Sequence, residues 1–298
     1  MQIGFLGLGK MGKGLVMHLL DQGVEVVVWN RSPDDVAEMA ASGAVPASTP
    51  AELAAKISAP RTVWLMVPQG QPVDDVLAKL VPALSPGDLV IDGGNSFYQD
   101  TLRRAKDLSA KKIHFMDIGV SGGPSGARAG ACLMIGGSDA DYKKIEPLAR
   151  ILAAPGAFAR LGPVGAGHFA KMVHNGIEYG MMEAIAEGSA ILKASQFKFD
   201  LAQVFDLYNH QSVITSRLVD WAQKAFTEDP DLRDISSAIA ATGEGEWTMN
   251  TARGMGLDTP VITRSVEIRK ESAVVAENFR NKVVSALRGQ FGGHPVKK

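Results

Sequence analysis

Five glycines fall within the first fourteen residues, and this cluster constrains the fold more than any other feature of the sequence. The motif Gly-Leu-Gly-Lys-Met-Gly (7–12) follows an apolar run, QIGFLG (2–7), and opens a stretch with helical periodicity. A G-x-G-x-x-G motif between a strand and a helix is typical of a turn that lets a dinucleotide pyrophosphate approach a helix N-terminus. The alternative is a purely structural glycine turn. The position of the motif favours nucleotide binding, with candidate residues Gly7, Leu8, Gly9 and Gly12.

The first half of the chain continues as short apolar runs that alternate with helical stretches. The runs that we interpret as further strands are EVVVWN (25–30), RTVWLMV (61–67), DLVIDGG (88–94), KIHFMDIGV (112–120) and ACLMIGGS (131–138). Strands that alternate with helices indicate right-handed crossovers and a mainly parallel sheet. After Gly167 the apolar residues repeat only at helical spacing. We therefore predict an α/β fold: a doubly wound, Rossmann-type dinucleotide-binding domain over 1–165, followed by an all-helical domain over 166–298 for substrate and dimerisation.

Charge and cysteine usage exclude several classes of protein. The 31 basic and 32 acidic residues give a net charge of −1, which provides no general attraction to nucleic acid or to an anionic membrane. The single cysteine, Cys132, excludes a disulfide framework and is interpreted as a core residue. The start of the chain lacks the pattern of a signal peptide, and no apolar run has the length of a membrane span. We expect a cytoplasmic protein.

The end of the second predicted strand should meet the ribose of the cofactor. An acidic residue at this place binds the 2′-hydroxyl of NAD, whereas this chain has Asn30, Arg31 and Ser32. Arginine offers a planar set of donors to a 2′-phosphate, and the other two side chains add neutral donors. The alternative is a solvated arginine on a loop, and Asp34 and Asp35 are negative charges nearby. The pattern favours NADP over NAD.

A polar row crosses an otherwise apolar helical stretch in the second half. Lys171, His174, Asn175 and Glu178 are spaced at i, i+3, i+4 and i+7, so they share one face of a helix. Their neighbours are methionine, valine, isoleucine, alanine and glycine, and ionisable groups on such a helix are either paired or functional. A structural Lys–Glu pair with a core histidine is one interpretation. The other is acid–base chemistry beside a dinucleotide, in which a neutral lysine takes a hydroxyl proton and a carboxylic acid returns a proton to carbon.

Two glycine-rich segments follow predicted strands at the sheet edge where open parallel sheets bind ligands. They are IDGGNS (91–96) and SGGPSG (121–126). Each alone is typical of a turn, but their positions favour contacts with a ligand, and the second could bind a carboxylate through its N–H groups and serine hydroxyl.

Three segments together resemble the 6-phosphogluconate dehydrogenase family: IDGGNSFYQDT (91–101), VSGGPSGARAG (120–130) and KMVHNGIEYG (171–180). The wider β-hydroxyacid dehydrogenase superfamily shares the glycine motif, the serine–glycine–glycine segment and the lysine, whereas HNGIEYG is more specific to this branch. The resemblance runs from Gln2 to about Thr251 and resumes in the final segment. The chain lacks the extra helical repeat of the long enzymes and is similar to the short bacterial form.

The resemblance implies oxidative decarboxylation of 6-phosphogluconate to ribulose 5-phosphate with NADP or NAD and without a metal, a reaction of the pentose phosphate pathway and of gluconate utilization. It implies that Lys171 is the general base and that Glu178 protonates the enediol. Met11, Val67, Pro68 and Asn95 would line the nicotinamide side of the cofactor site. The residues that would position the sugar acid are Asn95, Ser121, Gly122, Gly123, His174 and Asn175, with Tyr179 on its phosphate.

The resemblance also implies a phosphate site completed by a second subunit. Arg269 matches a phosphate-binding arginine, and the terminal LRGQFGGH matches a tail in which Arg288 and His294 reach a neighbouring subunit's site. We therefore expect a homodimer or a homotetramer. Glu246 stands where the family has a lysine, which removes a positive contact and adds a charge that would repel phosphate. A β-hydroxyacid dehydrogenase that does not decarboxylate, and a dinucleotide-binding protein without catalysis, remain as alternative functions.

Overall fold

A computed structural model describes residues 1–293 and 296. The chain forms two compact units, Met1–Lys171 and Met172–Lys298, and the division between them falls inside one long helix, α8 (Ala166–Ala194). The division into functional domains at 165/166 remains a prediction.

The first unit is built on an eight-stranded sheet. Its strands are β1 (Gln2–Leu6), β2 (Glu25–Trp29), β3 (Val45–Pro46), β4 (Thr62–Leu65), β5 (Leu89–Asp92), β6 (His114–Ser121), β7 (Ala131–Gly136) and β8 (Ala153–Gly162). Their order is β3-β2-β1-β4-β5-β6-β7-β8, with every neighbouring pair parallel except β6 and β7. The predicted mainly parallel, doubly wound sheet is confirmed.

Helices flank the sheet and, as the sequence predicts, account for the secondary-structure elements of the second unit in the described residues, apart from a bridge residue at Ile235. Those of the first unit are α1 (Lys10–Asp21), α2 (Pro33–Ala41), α3 (Pro50–Ala55), α4 (Gln71–Leu80) with a 3₁₀ turn at Val81–Ala83, α5 (Tyr98–Ser109), α6 (Gly123–Ala129) and α7 (Asp139–Leu152). After α8 come α9 (Leu201–Tyr208), α10 (Arg217–Glu228), α11 (Glu244–Gly254), α12 (Pro260–Glu271) and α13 (Phe279–Gly292). No helix in the described part of the chain combines the length and the apolar content that a bilayer crossing requires.

The strand pattern divides the core of the first unit into two layers. Successive residues of a strand point to opposite faces of a sheet. Val26 and Val28 therefore join one buried cluster while Val27 joins the other. In the first cluster the rings of Phe5 and Trp64 stack in parallel, with centroids 6.1 Å apart. Because both faces of the sheet are buried, the strands consist of continuous runs of hydrophobic residues in the sequence.

Three local features differ from the sequence interpretation. β8 is a ten-residue strand that contains Pro155 and Gly156, a pair that indicates a turn; an edge strand bonded only to β7 tolerates them. The segment after β6 is not a loop, because Gly123–Ala129 forms the short helix α6. Cys132 is exposed rather than buried, since β7 directs alternate residues outwards.

The N-terminus of α8 is attached to the sheet by a buried carboxylate. Asp117 in β6 is 0% exposed, and its two oxygens accept hydrogen bonds from the backbone N–H groups of Gly165 (2.6 Å) and His168 (2.7 Å). The His168 ring in turn lies 2.7 Å from the Thr101 hydroxyl, measured from Nδ1 to Oγ1. A Cβ on Gly167 would lie 2.6 Å from the Asp117 carbonyl oxygen, so only a glycine lets the first turn of α8 lie this close to β6. The position of α8 is set by these contacts.

Asp117→Asn should lower the free energy of unfolding by about 2 kcal/mol or more, because the asparagine oxygen accepts only one of the two N–H groups, now without charge, and its NH₂ group faces the other. The measurement is urea denaturation of the full chain. Asp200, an exposed residue that caps α9 by accepting from the Gln203 N–H, provides the matched control. Asp200→Asn should change stability by less than roughly 0.5 kcal/mol, because asparagine caps equally well. Equal stability of Asp117→Asn and the unsubstituted chain would contradict the role of Asp117.

Candidate active site

The three glycines of the 7–12 motif occupy three different environments. Gly7 has a φ of +105°, and a Cβ there would lie 2.3 Å from the Met66 carbonyl oxygen. A Cβ on Gly12 would lie 2.0 Å from the Gly7 carbonyl oxygen, so α1 packs directly on the turn. Gly9 has nothing within 4 Å of its Cβ position and caps α1, which has no acidic residue in its first turn. A pyrophosphate site requires a tight turn, close packing of the helix on that turn, and open space in front of the N–H groups at the helix N-terminus.

The ribose end of the site differs in detail from the sequence expectation. Both ends of the Asn30 amide are engaged within the protein: its oxygen accepts from the Leu8 N–H (3.2 Å) and its nitrogen donates to Asp35 (2.7 Å). Asn30 therefore ties the glycine turn to α2. Lys13 pairs with Asp35 at 2.7 Å, and this hydrogen bond lowers the pKa of the Asp35 carboxyl. Lys13 also pairs with Glu38, so one lysine serves two carboxylates and the local negative charge is only partly compensated. Arg31 is exposed, and Ser32 occupies the N-cap position of α2 without a side-chain capping hydrogen bond.

Two loops of the first unit lie together on the side expected for the nicotinamide. A Cβ on Gly94 would be 2.8 Å from the carbonyl oxygen of Val67, so the loop after β5 touches the loop after β4. Val67 and Asn95 are half-buried, as is Met11 in the first turn of α1, whereas Pro68 is exposed. The structure thus brings the loops of Val67 and Asn95 together, with side chains that remain partly accessible to a ligand.

Lys171 lies over the end of β6. Its Cβ is 2.4 Å from the position that a Cβ on Gly119 would take, so only a glycine at 119 admits the lysine there. Ser121 ends the same strand two residues later, and Gly122 and Gly123 follow with φ values of +126° and +64°. The first unit therefore brings Lys171 to the strand that leads into the serine–glycine–glycine segment.

The polar row predicted from the sequence forms on α8. His174, Asn175 and Glu178 are half-buried on this helix. His174 Nδ1 is 3.0 Å from Asn175 Oδ1 and 3.8 Å from Glu178 Oε2. An amide oxygen only accepts, so with this amide orientation the proton of a neutral His174 lies on Nδ1 and Nε2 is an acceptor. Lys171 and Glu178 are two turns apart, about 10 Å along the helix axis, and their side chains leave the helix in nearly the same direction.

A buried cationic cluster lies in the second unit beside the end of this row. Arg269 is 4% exposed, and its guanidinium carbon lies 3.2 Å from the centroid of the Tyr179 ring. Its one hydrogen bond among the described residues goes to the Met182 sulfur at 3.9 Å, and it forms no ion pair with a described carboxylate. Arg288 is buried as well, and the buried Tyr179 hydroxyl has no hydrogen-bond partner in the described residues.

This cluster has the chemistry of an anion site. Burial lowers the pKa of Arg269 to about 10 and also lowers the pKa of Arg288, so both remain cationic at neutral pH. Burial raises the pKa of the Tyr179 phenol, which therefore remains a donor. Buried charges without a partner are costly. An anion with several acceptor oxygens would satisfy two guanidinium groups and one hydroxyl together.

The sequence analysis assigned repulsion of an anion to Glu246 and no role to Glu244, and the structure distinguishes these two glutamates by burial. Glu246 is exposed and pairs with Lys270 at 2.8 Å, so its charge is compensated at the surface. Glu244 is buried, and its carboxylate accepts a hydrogen bond from the Thr242 hydroxyl at 2.5 Å. Its charge acts on the pKa of both Tyr179 and Arg288. The expected repulsion of an anion therefore comes from Glu244.

The expected position of Arg288 needs correction. The sequence resemblance implied a tail that carries Arg288 into a neighbouring subunit, but Arg288 belongs to α13 and is buried in its own chain. The reason is that α13 continues through Gly292, with Val284 and Leu287 in the core of the second unit. His294 lies outside the described residues.

Comparison with known proteins agrees with this architecture. Residues 2–165 match the NAD binding domain of 6-phosphogluconate dehydrogenase, and residues 167–295 match the C-terminal domain of 6-phosphogluconate dehydrogenase. The chain belongs to the 6-phosphogluconate dehydrogenase family. It is therefore an oxidoreductase whose cofactor is NAD or NADP.

Two relatives match over their full length. The YqeC protein of Bacillus subtilis, provisionally named a 6-phosphogluconate dehydrogenase, is 43% identical over 298 residues, which is 100% of both chains. The NAD(+)-dependent, decarboxylating 6-phosphogluconate dehydrogenase of Haloferax volcanii is 38% identical over 300 residues, covering 100% of this chain and 99% of that protein.

Solved structures show the same fold. The 6-phosphogluconate dehydrogenase of Plasmodium falciparum superposes with a TM-score of 0.84 at 29% identity, over 96% of this chain and 70% of that one. The 3-hydroxyisobutyrate dehydrogenase of Mycobacterium tuberculosis has a TM-score of 0.76 at 22% identity, over 96% of this chain and 99% of that one. The second likeness concerns the fold alone.

Glu244→Gln should strengthen the binding of inorganic phosphate by roughly tenfold, because one negative charge is removed beside two buried arginines. Glutamine keeps an acceptor for the Thr242 hydroxyl, so folding should be retained. Isothermal titration of the full chain with phosphate measures the effect. Glu246→Gln is the matched control, with an expected change below about twofold because its charge is exposed and paired. An increase in Glu246→Gln without one in Glu244→Gln would contradict the assignment.

Proposed function

We propose that the protein oxidises and decarboxylates 6-phosphogluconate to ribulose 5-phosphate and CO₂, with NADP as the favoured oxidant. The observation that carries the choice of a phosphorylated substrate is the buried cluster of Arg269, Arg288 and Tyr179, in which Arg269 forms no ion pair with a described carboxylate and the Tyr179 hydroxyl has no described hydrogen-bond partner. Tyr179 directly follows Glu178 on α8, so this cluster adjoins the polar row. A non-phosphorylated hydroxy acid would leave the buried guanidinium of Arg269 without an ion-pair partner among the described residues. The names of the relatives support the same substrate.

The roles of the polar row follow from its chemistry. Lys171, as the neutral amine, takes the proton of the C3 hydroxyl, and a dinucleotide held at the glycine motif would supply the acceptor for the C3 hydride. The resulting β-keto acid loses CO₂ when the protonated Lys171 returns its proton to the C3 oxygen, because the electrons of the breaking bond then form an enediol. Glu178 protonates the enediol carbon and Lys171 takes back the hydroxyl proton. One proton then passes from Lys171 to Glu178 to restore the starting state.

The remaining predicted residues bind and orient. His174 Nε2 and the Asn175 amide lie between the acid and the base along α8 and would bind substrate hydroxyls. Asn95, Ser121, Gly122 and Gly123 would position the carboxylate end. Asn30 acts by shaping the ribose pocket, whereas Arg31 and Ser32 would contact a 2′-phosphate. The ion pair of Asp35 with Lys13, which Lys13 shares with Glu38, weakens the repulsion of a 2′-phosphate by the Asp35 carboxylate and so supports NADP.

We also propose that the protein is a homodimer or a homotetramer. Large apolar side chains are exposed on the second unit, three of them along α8 itself: Ile177, Met181 and Ile191. Apolar faces of this kind on a monomer are associated with interfaces, and a second copy of the chain is the partner with a matching face. A monomer in sedimentation velocity at micromolar concentration would contradict this assembly.

Turnover measurements test the function directly. Reduced dinucleotide and CO₂ should form from 6-phosphogluconate at equal rates, faster with NADP than with NAD. Lys171→Met should lower kcat by roughly 10²–10⁴-fold while dinucleotide binding is kept, because proton transfer is lost. Lys193→Met, at the other end of α8 and paired with Asp231, is the matched control and should leave kcat unchanged.

Three results would contradict the proposal. Oxidation without CO₂ would indicate a hydroxyacid dehydrogenase that does not decarboxylate. Binding of dinucleotide without turnover on any hydroxy acid would indicate a binding protein. Equal kcat/KM for 6-phosphogluconate and gluconate would show that the phosphate group does not contribute to substrate recognition.

A further inference from the structure

Arg104 in α5 is a buried arginine that contacts two separate loops of the first unit. Its side chain is 1% exposed. Nε donates to Asp74 at 2.8 Å, and Nη2 donates to the Gly70 carbonyl oxygen at 2.9 Å. Nη1 has no hydrogen-bond partner among the described residues and lies 3.8 Å from Asp92. Arg104 thus joins the end of the 66–70 loop to the residue at which the 92–96 loop begins.

Each of these two contacts controls the shape of one loop. Gly70 has a φ of +81°, a conformation that favours glycine, and the hydrogen bond from Arg104 fixes the direction of its carbonyl group. Asp92 is completely buried, and its oxygens accept from the Gly94 N–H (3.0 Å) and the Ser96 hydroxyl (2.8 Å). The guanidinium of Arg104 is the nearby counter-charge of this carboxylate. The loops themselves meet where Gly94 lies against the Val67 carbonyl oxygen.

Arg103, the residue before Arg104, forms an ion pair with the same aspartate but, among the described residues, no hydrogen bond or ion pair with either loop. Arg103 also binds Asp74, at 2.9 Å and 3.1 Å, but its side chain is 50% exposed. Its other ion pair is with Asp100 on its own helix. An ion pair between α4 and α5 therefore exists without Arg104. Burial of a second guanidinium with one unsatisfied nitrogen is costly, and what Arg104 adds is the connection to Gly70 and Asp92.

We propose that Arg104 is a positioning residue that holds the 66–70 and 92–96 loops at the separation needed to orient the nicotinamide for hydride transfer. The inference rests on the proposed function, because it takes Val67, Pro68 and Asn95 as the lining of the nicotinamide pocket. Arg104 itself contacts neither cofactor nor substrate in this account. Lysine cannot replace it, because a single ammonium group cannot reach Asp74, Gly70 and Asp92 together.

The first test is binding of reduced NADPH to the full chain, followed by nicotinamide fluorescence. In Arg104→Lys the dissociation constant should change by less than about threefold, because the glycine motif still binds the pyrophosphate. The fluorescence enhancement of the bound nicotinamide should fall to about half or less, because the ring is less restrained. Arg103→Lys is the matched control and should behave as the unsubstituted protein. This readout does not depend on the sugar acid.

The second test is steady-state kinetics with 6-phosphogluconate deuterated at C3. Arg104→Lys should lower kcat by about tenfold and raise the primary isotope effect, because misalignment slows hydride transfer. The KM for the sugar acid should stay within about twofold. Asp92→Asn removes the carboxylate opposite Nη1 while Arg104 keeps its bonds to Asp74 and Gly70, and it should show the same pattern to a smaller extent. If Arg104→Lys does not fold, Asp92→Asn decides the question.

Unchanged nicotinamide fluorescence and an unchanged isotope effect in a folded Arg104→Lys variant would overturn the inference. Equal losses in Arg103→Lys would also overturn it, because they would assign the effect to the ion pair with Asp74. If the unsubstituted protein does not turn over 6-phosphogluconate but Arg104→Lys still loses fluorescence, the proposed substrate is wrong and the role of Arg104 stands.

Discussion

The position of Lys171 depends on the two hydrogen bonds by which Asp117 holds the start of α8 against the sheet. A helix begins with N–H groups that have no partner inside the helix. A buried carboxylate in β6 accepts two backbone N–H groups at the start of α8 and lies at the positive end of the helix dipole. Because Lys171 is only a few residues further on, its position over Gly119 depends on the same contacts. The rest of the polar row lies on the same helix, with its residues at helical spacing.

In the proposed function, substrate choice depends on a different constraint, the buried charge of Arg269. A Rossmann-type domain followed by a helical domain also occurs in 3-hydroxyisobutyrate dehydrogenase, so the fold alone does not identify the substrate. The distinction lies in side chains of the second unit. We propose that two buried arginines and a buried phenol without a described hydrogen-bond partner form an anion site, because a bound anion would recover the electrostatic cost of their burial. Glu244 reduces the net positive charge of that site.

Features encoded by local pattern could be predicted from the sequence, whereas features that depend on distant partners could not. The glycine motif, the buried strands and the polar face of α8 are local, and the structure has them. β8 was missed because its pairing with β7 outweighs an internal Pro-Gly pair. Asn30 has ordinary spacing in the sequence, and only the fold brings it to Leu8 and Asp35.

The same limit applies to the charged residues of the candidate site. Glu244 and Glu246 are two residues apart, and sequence alone cannot tell which one is buried, because that depends on how α11 packs. Arg103 and Arg104 are adjacent, yet one is exposed and the other buried. Asp117 follows a run of apolar residues and carries no motif. The signal available in each case was a charged residue beside buried positions, which indicates a partner without identifying it.

A crystal structure of the protein with 6-phosphogluconate bound tests the central claim most directly. The account predicts phosphate oxygens within hydrogen-bonding distance of the Arg269 guanidinium and the Tyr179 hydroxyl, with the sugar hydroxyls along the polar row of α8. A phosphate held elsewhere, with Arg269 still donating only to Met182, would contradict it.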